Sequence, residues 1–134
     1  MVERQFSKLY TGVRFPLPAP KVTEINRKLQ KVMSKYLQVY ISAENKNQAD
    51  IILNSLLEKK LVAGGLLLNA PARFWWKGEI TDMNYYNISV FTKEKNKQQI
   101  IDDVKQTSIE EVPMVWFVEF KGNQELIKWI DSII

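Results

Sequence analysis

Gly64-Gly65-Leu66-Leu67-Leu68-Asn69 and, a few residues on, Arg73-Phe74-Trp75-Trp76-Lys77-Gly78-Glu79-Ile80 decide how this chain folds. The apolar run reads as a strand entered through a flexible glycine pair, and residues 73–76 continue it. Lys77-Gly78-Glu79 is a turn between extended runs. Residues 80–92 form the returning strand, with Tyr86, Ile88 and Val90 on one face. The pattern predicts a long β-hairpin with an aromatic end. Alternation sends Trp75 and Trp76 to opposite faces, so one can enter its own core and the other needs different cover. Exposed aromatic area usually marks an interface. Phe74, Trp75 and Trp76 are therefore expected at a subunit contact.

Working outward, Leu37, Val39 and Ile41 alternate within residues 36–42 and predict a strand. Ala49, Ile52, Leu53, Leu56 and Leu57 recur at helical spacing and end at Lys59-Lys60, where cations suit the helix C-terminus. Residues 94–107 read as a helix with Ile100, Ile101 and Val104 as its stripe. Residues 114–120 are apolar at nearly every position, as in a strand covered on both faces. Leu126, Ile127, Trp129, Ile130 and Ile133 make a terminal helix. The order is β-α-β-β-α-β plus one helix. This is an α+β, ferredoxin-like pattern with an antiparallel sheet. Before it, Pro16, Pro18 and Pro20 form an extended stretch, and residues 23–34 an amphipathic helix. The expected division is an extension over 1–34 and a ferredoxin-like domain over 35–134.

The zero counts narrow the chemistry. The chain of 134 residues has no Cys and no His. Disulfides, thiolate metal sites, thiol nucleophiles and Ser-His triads are excluded, and the commonest transition-metal ligand is missing. The net charge of +4 is uneven. Residues 1–34 hold seven basic and two acidic groups, whereas 35–134 hold twelve and thirteen. A basic arm can serve an anionic partner or simply solubilise, and its partner is not legible here. Arg4, Lys8 and Arg14 interrupt any apolar signal region, and no run approaches the roughly 18 apolar residues of a membrane span. A cytoplasmic protein without a membrane span is expected.

Asp102-Asp103 are adjacent on a helix, do not converge, and are expected on a solvated face. Glu110-Glu111 lie in the loop before the last strand, where one carboxylate can turn inward; Glu111 is the candidate. The acid in Ala43-Glu44-Asn45-Lys46 argues against an anion cradle. RNA binding has some support from Tyr36, Tyr40, Tyr85 and Phe91 on the sheet. But residues 84–91 do not fit the RRM signature, and the body is slightly acidic. Nucleic acid is the alternative reading, not the main one.

Residues 36–134 resemble the CutA (divalent-cation tolerance) family. The matching pieces are Leu61-Val62-Ala63, residues 74–80, Thr92-Lys93, Glu111-Val112-Pro113, and Gly122-Asn123 followed by Leu126-Ile127-Lys128-Trp129. The resemblance implies a ferredoxin-like protomer in a tight homotrimer with interlocking hairpins, similar to PII-like signalling trimers. It also implies a role in tolerance of copper and other divalent metals, anchoring or processing roles in animal members, and no established catalysis. The chain departs from the family at points that matter. Gly64 stands where a Cys is usual, Phe91 where a Lys is common. Ser108-Ile109-Glu110 stands where the family carries its His, Pro and Tyr, and only Glu111-Val112-Pro113 is kept in that loop.

These readings converge on a homotrimeric CutA-like protein that binds rather than catalyses. Trp76, Lys93 and Glu111 are the candidates for an inter-subunit pocket. Without Cys or His, copper binding is expected to be weak; Glu110 and Glu111 offer at most oxygen donors for a weakly held divalent cation. No other cofactor is expected. A trimeric scaffold presenting three copies of residues 1–34 is a further alternative.

Overall fold

The computed structural model describes residues 24–27 and 35–134. Residues 24–27 are helical, within the helix expected over 23–34. The rest of that helix, the proline stretch and the boundary at residue 34 lie outside the described residues.

The body runs β1 (Tyr36–Ala43), α1 (Lys46–Glu58), β2 (Gly64–Trp76), β3 (Glu79–Lys93), a 3-10 turn (Glu94–Asn96), α2 (Lys97–Thr107), β4 (Val115–Glu119) and α3 (Gln124–Ile133). The strands form one sheet in the order β2-β3-β1-β4. Every neighbouring pair is antiparallel. This is the α+β split-βαβ arrangement expected from the element order.

Period-2 alternation divides the sheet into two faces. Leu37, Val39, Ile41 and Ala43 of β1 and Ile88 and Val90 of β3 point one way and are buried. Ala49, Ile52 and Leu56 of α1 and Ile100 and Val104 of α2 close over them in one core. Burying each Leu, Ile or Val side chain here stabilises the fold by about 1.5–3 kcal/mol. Asn45 caps α1: its side chain accepts from the Gln48 N–H at 2.9 Å. That bond satisfies a donor the helix cannot pair internally.

The buried carboxylate between the helices is Asp103. It accepts from Ser55 Oγ at 2.8 Å and from Lys59 Nζ. The solvated reading therefore holds for Asp102, which is exposed, and fails for Asp103. Asp103 lies on the α2 face that meets α1, one residue before the core side chain Val104.

The second sheet face is open. Tyr40 stacks on Trp116 across β1 and β4, with centroids 5.1 Å apart. Leu66, Leu68, Trp116 and Val118 are exposed on it, Leu66 to 62%. β4 is thus an edge strand with one covered face, not a strand covered on both. Its apolar outer positions, Trp116 and Val118, stand on the open face. α3 meets one end of the open face, where Asp131 pairs with Lys93 Nζ at 2.9 Å and accepts from Tyr36 Oη at 2.8 Å.

β2 and β3 pair from Gly64↔Phe91 to Trp76↔Glu79, whereas β1 accompanies β3 only from Lys93 to Tyr86. The hairpin therefore continues alone from Ala70↔Tyr85 onward, roughly 20 Å of strand at about 3.3 Å per residue. Its two-residue loop has φ of 49° at Lys77 and 83° at Gly78. Two positive φ values are what a type I′ turn needs to match strand twist. Further back, a Cβ on Gly65 would lie 2.2 Å from the Ser89 carbonyl oxygen. Only glycine allows β2 to approach β3 there.

Candidate functional site

The free part of the hairpin and the loop before β4 border an open cavity of about 480 Å³. Phe74, Trp75 and Trp76 of β2 and Met83 and Tyr85 of β3 form the hairpin wall. Ile109, Glu110, Glu111, Val112 and Met114 form the loop wall, and Glu44, just after β1, completes it. Phe74 and Tyr85 meet edge to face, centroids 5.8 Å apart. That geometry suits the quadrupoles of the two rings and fixes the aromatic surface.

The loop is held by Ser42 at the end of β1. Ser42 Oγ accepts from the Met114 N–H at 2.9 Å and donates to Glu110 Oε1 at 3.0 Å. Gln48 Oε1 accepts from the Ile109 N–H at 3.0 Å. These bonds turn Glu110 inward. Its second oxygen, Oε2, is buried and has no hydrogen-bond partner among the described residues. Burial pushes the Glu110 carboxyl above the ordinary carboxylate range; the bond from Ser42 opposes this and the nearby Glu44 charge adds to it. Burial also raises Tyr85, with Glu110 and Glu44 contributing.

Glu111 lines the same cavity but is exposed, and Lys77 Nζ from the hairpin turn lies 3.3 Å from its carboxylate. The same ammonium sits 5.5 Å from the Trp76 ring centroid. Among the described residues, no Lys or Arg lines the cavity itself.

Of the sequence candidates, Trp76 and Glu111 line one cavity together with Phe74 and Trp75. Lys93 is not brought to them within the subunit. It sits at the other end of the sheet, bound to Asp131 with its ammonium over the Tyr36 ring. Of the adjacent carboxylates, the one that turns inward is Glu110 rather than Glu111. Sequence reading also missed Glu44, Tyr85 and Ser42 as parts of this site. The available signal was register: Ser42 is the penultimate residue of β1, two before Glu44, and Tyr85 begins the free hairpin. Among the described residues, no three Asp or Glu side chains are gathered to hold a metal ion.

The aromatics weighed for RNA stacking are engaged within the subunit. Tyr40 stacks on Trp116, Phe91 packs on Phe120, Tyr85 meets Phe74, and Tyr36 donates to Asp131.

The family model described as "CutA1 divalent ion tolerance protein" matches residues 37–133. A divalent-cation tolerance protein CutA from Archaeoglobus fulgidus is 29% identical over 97 residues, 72% of this chain and 95% of that protein. Another, from Thermotoga maritima, is 25% identical over 93 residues, 69% of this chain and 92% of that protein. Among solved structures, the chain is similar to one described as the periplasmic divalent cation tolerance protein CutA from Archaeoglobus fulgidus. The TM-score is 0.70 at 28% identity, covering 73% of this chain and 97% of that one. CutA1 from Oryza sativa gives the same TM-score at 21% identity, covers 75% of this chain and 94% of that one, and shows the fold alone.

Proposed function

Because the chain belongs to the CutA1 divalent ion tolerance family, we propose that it is a homotrimeric, non-catalytic binding protein that contributes to divalent-cation tolerance. The observation that carries the assembly is the open sheet face. Leu66, Leu68, Trp116 and Val118 are exposed there beside a hairpin whose end carries exposed Trp75 and Trp76. An apolar face of this kind needs cover, and two further copies of the chain are the cover that the family resemblance implies. The cavity under the hairpin is the binding site in this reading.

The donor set there suits a loosely held ion. Glu110 Oε2 is one free carboxylate oxygen, and Glu111 is shared with Lys77. Hard divalent cations want six or more oxygens, whereas tight copper sites want imidazole or thiolate. Cu²⁺ binding is therefore expected to be weaker than about micromolar, or −8 kcal/mol on the standard scale. Among the described residues, no helix is long and apolar enough to cross a membrane. A cytoplasmic location belongs to the proposal as well. The Archaeoglobus fulgidus neighbour is described as periplasmic, and a chain without Cys has no redox reason to avoid either compartment, so cell fractionation decides between them.

The role is tested in cells lacking their own family member, grown with and without this chain in rising Cu²⁺ or Mn²⁺. Restored growth at concentrations that stop the empty-vector cells is the expected result. Identical inhibition with and without the chain would contradict the role.

A further inference from the structure

The cavity has the chemistry of an organic-cation cage more than of a metal cup. Phe74, Trp76 and Tyr85 supply aromatic surface, Met83 and Met114 supply apolar, polarisable surface, and Glu110 faces inward. At about 480 Å³ it is the size of sites that bury small organic ligands. Among the described residues, Glu110 Oε2 is buried and unpaired although Oε1 is bonded. Leaving such an oxygen unpaired in a nonaqueous setting is costly, and a cationic donor removes that cost. The wall also shows which cation it accepts. The Lys77 ammonium already lies over the Trp76 ring while reaching Glu111, which is the pairing of π-face and carboxylate that binds alkylammonium groups.

From this we propose that the cavity binds a small primary alkylammonium ion with an aromatic or apolar tail. Its charged head pairs with the Glu110 carboxylate, which turns Oε2 into the cavity to meet it, and its tail lies along Phe74, Trp76 and Tyr85. The inference rests on reading the cavity as the protein's cation-binding site, and it names the class of cation. A compact hydrated metal ion would leave the aromatic walls unused. A neutral hydroxyl would give the carboxylate a donor but leave its charge uncompensated. The raised proton affinity of Glu110 agrees with this, since a bound ammonium would favour the charged carboxylate and draw its titration back down.

The test uses the full chain and titrates phenethylammonium by calorimetry at neutral pH, with 2-phenylethanol as the neutral analogue and Mg²⁺ as the inorganic ion. The expected result is saturable binding of the ammonium at about millimolar or tighter. The alcohol should bind at least about tenfold more weakly, because it brings no charge to Glu110. Glu110→Gln should weaken the ammonium about tenfold or more, and Phe74→Leu should weaken it severalfold without moving a charge. Glu58→Gln, on the exposed side of α1, should change nothing. Should Glu110→Gln fail to fold, Phe74→Leu and the alcohol comparison still decide. The proposal is overturned by equal affinity for ammonium and alcohol, by unchanged binding in a folded Glu110→Gln, or by no saturation at about 10 mM. The mass of the same samples separates this from the assembly reading. A trimer that ignores the ammonium overturns only this inference. A monomer that binds it through Glu110 overturns only the assembly.

Discussion

Glu110 carries the most informative single charge in the molecule. Adjacent carboxylates at 110 and 111 are equivalent in sequence, and only one can turn inward at the mouth of β4. Which one depends on Ser42, 68 residues away in sequence, whose hydroxyl holds Glu110 Oε1. No local pattern encodes that choice, which is why the sequence pointed to Glu111. The consequence for stability has a definite sign. Burial raises the Glu110 carboxyl in the folded state, so the folded chain binds more protons there than the unfolded chain. Stability then falls as pH rises from the ordinary carboxylate range through the raised value. The neighbouring groups that share this field are Glu44 and Tyr85. Glu110→Gln removes the ionisation while keeping an acceptor for Ser42. Urea midpoints measured from about pH 4 to pH 7 should fall more for the parent chain than for Glu110→Gln. Parallel pH profiles would show that the carboxylate is not held out of water.

The elements were legible where periodicity is strong. β2 was read over the residues it occupies, because the glycine pair and the Lys77-Gly78 turn punctuate it. The helices followed from their apolar stripes. Two things escaped. One was β4, whose continuous apolar run suggested burial on both faces; its position at the sheet edge, fixed by pairing with β1 alone, leaves alternate residues exposed. The other was Asp103, which a helix pattern assigns to solvent. It is buried because α2 packs beside α1, and it binds Ser55 and Lys59. Asp103→Ala leaves the Ser55 hydroxyl without this partner and opens space between the helices. Lys59 is half-exposed and water takes over part of its charge, so the ion pair itself counts for little. The expected loss is about 2 kcal/mol, mainly from the buried hydrogen bonds. Chemical denaturation measures it, and a change below about 0.5 kcal/mol would mean the contact is only incidental.

At the scale of the whole molecule, composition excluded thiol, disulfide and imidazole chemistry before any fold was considered. The ferredoxin-like topology followed from the order of elements, and family membership agrees with it. The cavity was legible only in part. Trp76 and Glu111 line it, but it also needs the hairpin and the loop before β4 to meet in space, and that tertiary placement leaves no mark on residue spacing. Lys93 sits at the other end of the same sheet because β3 is long enough to span both ends. What the subunit leaves unsolved is its open sheet face, where Leu66, Leu68, Trp116 and Val118 stand in solvent. Burying about 800 Å² per partner is ordinary for a specific interface, and a charge set into such a face goes unpaired and desolvated. The central claim is that three copies cover one another's faces. Multi-angle light scattering at micromolar concentration tests it most directly, on the chain and on Leu66→Asp. The account predicts about three times 15.7 kDa for the chain and a smaller, still folded species for Leu66→Asp. A stable monomer of 15.7 kDa for the unaltered chain would contradict it.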